Sequence, residues 1–161
     1  MKALKAIALD VDGVLTDGRV WWGPDGEEWK RFSFADIMGV SEARKAGLVV
    51  ALISGEDSPL VDRFARKMGI TDLEKNCKDK AVALRRFAER AGLALEEICF
   101  MGDDLNDIGA MQLAGLAAAP ANAQLAARQC AAFISEHHGG DGAVRELVDA
   151  VLAARIADPS L

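Results

Sequence analysis

Runs of consecutive apolar residues recur along the chain at about 4–9, 48–53, 97–101 and 115–118, and helix-like segments lie between them. Alternation of this kind predicts a parallel sheet buried on both faces, because each crossover must lay a helix against it. The expected architecture is therefore α/β: a doubly wound, three-layer α/β/α fold. "EDSPLVDRFARKMGI" starts a helix with Ser58 at the N-cap and Pro59 in the first turn, followed by a stripe of Leu60, Val61, Phe64, Ala65 and Met68. "KDKAVALRRFAERAG" repeats the pattern through Ala81, Leu84, Phe87 and Ala88, with Gly92 as its stop. A last helix buries Val144, Leu147, Val148, Val151 and Leu152.

One segment breaks the alternation. Residues 18–34, "GRVWWGPDGEEWKRFSF", place β-prone residues on either side of a Pro-Asp-Gly turn and read as a hairpin. Trp21 and Trp22 must point to opposite faces of such a ribbon. The domain itself can cover one face only, so the other is expected to meet a second copy of the chain.

With 161 residues the chain fits one domain, expected to span 1–156 and to end in a frayed tail at 157–161. No apolar run is long enough to cross a bilayer, and the N-terminus lacks the pattern of a secretory signal. A cytoplasmic protein without a membrane partner is expected. The net charge of −6, with no dense basic run, disfavours nucleic acid and leaves a small molecule as the expected ligand. Cys77, Cys99 and Cys130 are odd in number and widely spaced, which reads as three buried thiols.

Ligands of open parallel sheets bind beyond the carboxyl ends of the strands. There the first run ends in Asp10 and Asp12, the second in Ser54 and Gly55, and the third in Asp103 and Asp104; Lys80 opens a helix between the last two. Carboxylates gathered on one rim repel one another unless a cation sits among them. An all-oxygen set with no nearby His or Cys favours Mg²⁺. Ser54, the Gly55 amide and Lys80 then form a complementary set of donors for a phosphoryl group.

"DVDGVLTDG", "ISG", Lys80 and "GDDLND" stand in the order and spacing of the four motifs of the haloacid dehalogenase (HAD) superfamily phosphatases, which the chain resembles over nearly its whole length. The resemblance implies that Asp10 is a nucleophile forming an aspartyl-phosphate and that Asp12 is general acid and then general base. It also implies Mg²⁺ held by Asp10, the Asp12 carbonyl and Asp103, with Asp104, Asn106 and Asp107 orienting water and Lys80. Asp12, Ser54, Gly55, Lys80 and Asn106 would meet the substrate.

Roughly forty residues separate Asp10 from Ser54, and the hairpin takes much of that interval, so no cap domain fits. This resembles the cap-less branch acting on phosphorylated 3-deoxy-ulosonic acids, the eight-carbon 3-deoxy-D-manno-octulosonate (KDO) 8-phosphate and the nine-carbon KDN and N-acetylneuraminate 9-phosphates. "DGRVWWGPDGEEWKRFSFAD" and "GGDGAVRE" carry that likeness, which also implies a homotetramer joined through its hairpins. Glu56, where octulosonate phosphatases commonly carry Arg, together with Lys67 resembles the KDN-9-phosphate group, in which the pair contacts the sugar. Two departures concern selectivity. Phe64 stands where relatives often place an arginine, and Asp36-Ile37 replaces Asp-Gly. Arg63 and Arg66 are the candidate substitutes for that arginine, and His137 and His138 are candidates to touch substrate. A non-catalytic oligomerisation module and a phosphomutase are the competing readings, disfavoured by the intact motifs and by the short interval before Ser54.

Overall fold

The computed structural model describes residues 3–157, so all but the first residue of the expected frayed tail lies outside the described residues. Six strands form one parallel sheet: β1 (Ala6–Leu9), β4 (Val49–Ile53), β5 (Asp72–Glu74), β6 (Ile98–Met101), β7 (Leu116–Ala119) and β8 (Phe133–Ile134). Their order is β5-β4-β1-β6-β7-β8. Chain order reverses at β1, with β4 on one side and β6 on the other, which opens a crevice at the end of β1. Between β1 and β4 lie only the hairpin, β2 (Trp21–Trp22) with β3 (Glu28–Trp29), and helix α1 (Phe34–Lys45).

Alternation along the strands divides the core. Ile7, Leu9, Val50, Leu52, Cys99 and Met101 face α1, α2 (Pro59–Met68) and α6 (Ala143–Ala157). Ala6, Ala8, Ala51, Ile53, Ile98 and Phe100 face α3 (Lys80–Ala91), α4 (Ile108–Leu113) and α5 (Leu125–Cys130). Helix boundaries follow local chemistry. The Ser58 hydroxyl accepts from the Leu60 amide to start α2, Asp79 does the same for Val82 in α3, and glycines 69 and 92 end these helices in the left-handed region.

Helix α1 has no marked apolar stripe, and the sequence reading did not identify it. Gly39 lets it cross α6 closely, because a Cβ there would lie 2.8 Å from the Arg145 Cα. Asp36, buried at the start of α1, accepts from the Gly142 and Arg145 amides at 3.1 Å each and so caps α6 across the chain. Burial raises its carboxyl above the ordinary range, though these amide hydrogen bonds oppose the rise. Of the three thiols only Cys99 is buried, and burial pushes it up; Cys77 and Cys130 are partly exposed because they sit at a loop and at a helix end.

The hairpin departs from expectation at its tip. Trp21 pairs with Trp29 and Trp22 with Glu28, so the two adjacent tryptophans do lie on opposite faces. Neither is covered by its own chain: Trp21 is 64% exposed, Trp22 76% and Trp29 55%. Strands of two residues each project beyond the body and leave both faces open.

Candidate active site

Register brings the strand ends together. Asp10 follows β1 and its amide donates to the Met101 carbonyl at the end of β6, while Ser54 follows β4 and donates to the Glu74 carbonyl. A cleft of about 250 Å³ opens there, lined by Asp10, Asp12, Gly18, Gly55, Glu56, Lys80, Asp103, Asp104 and Asn106. Eight of the residues assigned to the site from sequence thus share one cavity. Ser54 lies fully buried behind it, its Oγ accepting from the Glu56 amide at 3.1 Å. Lys67 is not among the lining residues. It stands in the last turn of α2, about 13 Å along the helix axis from Ser58 at 1.5 Å per residue, and lines a separate groove. Neither His137 nor His138 lines the cleft.

At the floor, Lys80 Nζ is 2.8 Å from Asp10 Oδ1 and 2.6 Å from Asp107 Oδ1, with its side chain only 1% exposed. The second oxygen of Asp107 accepts from the Asp103 and Asp104 amides. Asp107 is therefore fully engaged, and it fixes both Lys80 and the loop after β6. Burial would depress the Lys80 ammonium, but Asp10 and Asp107 outweigh it and hold it above its ordinary value. Burial drives the Asp10 carboxyl well up, with Lys80 offsetting part of the rise. Burial, then the charge of Asp107, pushes Asp103 up to about 6.

Carboxylate oxygens of Asp10, Asp103 and Asp107 come within 4.8 Å of one another. Since Asp107 is already engaged, Asp10 and Asp103 offer the open lone pairs, and one buried ammonium is too little charge for three carboxylates. The donor set fits a small hard cation. Gly13 leaves room beside it: a Cβ there would fall 2.1 Å from Asp103 Oδ2, and its φ of +91° suits glycine. The glycines of "HHGGDG" serve the same loop from outside. A Cβ on Gly139 would lie 1.7 Å from the Gly13 carbonyl oxygen, and the Gly140 amide donates to Val14.

A model of the haloacid dehalogenase-like hydrolases matches residues 56–147. The 3-deoxy-D-manno-octulosonate 8-phosphate phosphatase of Escherichia coli strain K12 is 36% identical over 152 residues, covering 94% of this chain and 81% of the relative. The chain belongs to the haloacid dehalogenase-like hydrolases. Within that family, the Moraxella catarrhalis 3-deoxy-D-manno-octulosonate 8-phosphate phosphatase, solved with magnesium, phosphate and KDO, superposes with a TM-score of 0.92 at 35% identity, covering 95% of this chain and 88% of its own. The cobalt-bound Haemophilus influenzae enzyme gives a TM-score of 0.92 at 33% identity, with 95% and 90% covered.

Both departures in this HAD-like chain fall on one spot. Phe64 stacks on Phe32 with ring centroids 4.8 Å apart, and Ile37 joins them in lining the groove beneath the hairpin. The position at which the resemblance leads us to expect an arginine carries packing here. Arg63 and Lys67 edge the same groove, whereas Arg66 lines neither it nor the cleft.

Lys30 was missed by the sequence reading. From the second arm of the hairpin its Nζ reaches Asp12 Oδ1 at 2.8 Å and Glu28 Oε1 at 3.5 Å. Burial works against its charge, but Asp12 and Glu28 prevail and raise its pKa. The signal was present as strand alternation: Glu28, Lys30 and Phe32 are half-buried while Trp29 and Arg31 are exposed.

Proposed function

We propose that the chain is a Mg²⁺-dependent phosphatase of a phosphorylated 3-deoxy-ulosonic acid, acting through an aspartyl-phosphate on Asp10. Residues 1–156 form the catalytic unit in this reading. The observation that carries it is the buried Lys80 bridging Asp10 and Asp107 beside Asp103, at a cleft floor with more carboxylate than ammonium.

In the first step an Asp10 oxygen bonds to phosphorus as the phosphorus–sugar oxygen bond breaks. The electron pair leaves on the sugar oxygen, which takes a proton from the Asp12 carboxyl. In the second, water bonds to phosphorus and gives a proton to the Asp12 carboxylate as the bond to Asp10 breaks, releasing phosphate and restoring both aspartates. Lys80 holds Asp10 in line, and Ser54, the Gly55 amide and Asn106 are the phosphate donors. Asp10, Asp103 and the Asp12 carbonyl would hold Mg²⁺, which when bound neutralises phosphoryl charge near the nucleophile.

For the sugar, KDN 9-phosphate is the favoured substrate, supported by Glu56 at the cleft wall, where its carboxylate can accept from sugar hydroxyls. KDO 8-phosphate is the alternative, supported by the similarity to octulosonate phosphatases. Lys67 enters this reading only if a second subunit brings it to the cleft. A homotetramer built through the exposed tryptophans supplies that setting, and free thiols suit a cytoplasmic one. The test is phosphate release from KDN 9-phosphate, KDO 8-phosphate, N-acetylneuraminate 9-phosphate and hexose phosphates, with and without Mg²⁺. Preference for a nine-carbon acid supports the Glu56 assignment, and equal weak activity on all would remove it.

A further inference from the structure

We infer that Lys30 is a positioning residue for Asp12, so that the hairpin sets the geometry of proton transfer. This rests on the phosphatase reading above and deepens it. The ammonium of Lys30 lies 2.8 Å from Asp12 Oδ1 and is 3.5 Å from Glu28 Oε1, which in turn accepts from the Ser58 hydroxyl at 3.2 Å. Three segments distant in sequence are thereby tied together: the loop after β1, the hairpin arm, and the N-cap of α2 just past Ser54-Gly55-Glu56.

A lysine paired with a carboxylate at a protein surface usually contributes little, because both side chains keep their freedom. Here the Lys30 side chain is 5% exposed while Asp12 remains 31% exposed toward the cleft. The lysine is fixed and the aspartate is the accessible partner. A role as anchor for a substrate anion is disfavoured, since two carboxylates already meet the Lys30 charge. The contact engages Asp12 through Oδ1, which leaves Oδ2 as the oxygen to exchange a proton with a leaving group or with water. Fixing the rotation of that carboxylate is worth rate, because proton transfer depends steeply on alignment.

The structure supplies a second link outward. Trp22 Nε1 donates to Glu28 Oε2 at 3.3 Å, so the exposed tryptophan face and the Asp12 contact share one glutamate.

Leaving-group dependence tests the assignment. A sugar alkoxide needs the proton from Asp12, whereas p-nitrophenolate departs without one, and kcat/KM reports steps only through phosphoryl transfer. In Lys30→Met, kcat/KM on the best sugar-acid phosphate of the panel is expected to fall about 10–100-fold. On p-nitrophenyl phosphate the fall is expected to stay under about threefold, as no general acid is required there. Lys30→Arg is expected to restore most of the loss, and should Lys30→Met fail to fold, Glu28→Gln is expected to change the ratio in the same direction. Equal losses on both substrates, no loss on either, or failure of Lys30→Arg to improve on Lys30→Met would overturn the inference. A wild-type chain inactive on every substrate would instead overturn the phosphatase reading beneath it.

Discussion

Lys80 Nζ sits 2.8 Å from Asp10 Oδ1 in a site that admits almost no solvent to the lysine. Removing the ammonium strands two buried carboxylates, Asp10 and Asp107. Lys80→Ala is therefore expected to abolish turnover and to destabilise the metal-free protein by about 3–5 kcal/mol, the range for breaking one side of a buried pair. Urea unfolding of both proteins without Mg²⁺ measures this, and a loss near zero would mean that the carboxylates are relieved in another way.

The raised carboxyls fix the sign of a pH effect. Asp103 titrates near 6 when folded and near its ordinary 3.8 when unfolded, and Asp10 is raised in the same direction. The stability they contribute is complete below the unfolded value and is lost as pH rises through the folded one. A cation offsets that loss only where the carboxylates are ionised. Mg²⁺ is thus expected to raise Tm more at about pH 7.5 than at about pH 5, and an equal shift at both would place the ion elsewhere.

Gly139 presses on the carbonyl of Gly13, leaving no space for a methyl group. Gly139→Ala must displace the loop that carries Asp12. A Tm decrease equivalent to about 1–3 kcal/mol, with weakened Mg²⁺ binding by calorimetry, is the expected result.

Trp21 and Trp29 are exposed on one face of the hairpin tip and Trp22 on the other. Sedimentation velocity of Trp21→Ala/Trp22→Ala is expected to show a smaller species than the wild type. Identical sedimentation would assign the oligomer contact to another surface.

Much of this arrangement was legible in the sequence because short-range chemistry dictates it. The four apolar runs match β1, β4, β6 and β7, and Ser58, Pro59 and Gly92 mark helix ends through their own backbone preferences. Aspartates following strands had to gather at one rim once the sheet was parallel. What escaped depends on contacts across the fold. Helix α1 is held by Asp36 capping α6 and by Gly39 at the crossing, neither of which leaves a periodic signature. Strand β5 has three residues and β8 two, lengths at which alternation carries no information. Strand alternation sets Lys30 apart from Arg31, but its partner Asp12, eighteen positions back, shows only in the fold.

The central claim is that Asp10 carries the phosphoryl group during turnover. Acid quench during steady-state hydrolysis, followed by peptide mass mapping, reads this directly. The mass of one phosphoryl group on the peptide containing Asp10, absent in an inactive Asp10→Asn, is the predicted result. Phosphate release by Asp10→Asn at the wild-type rate, or a phosphoryl group mapped to another residue, would contradict it.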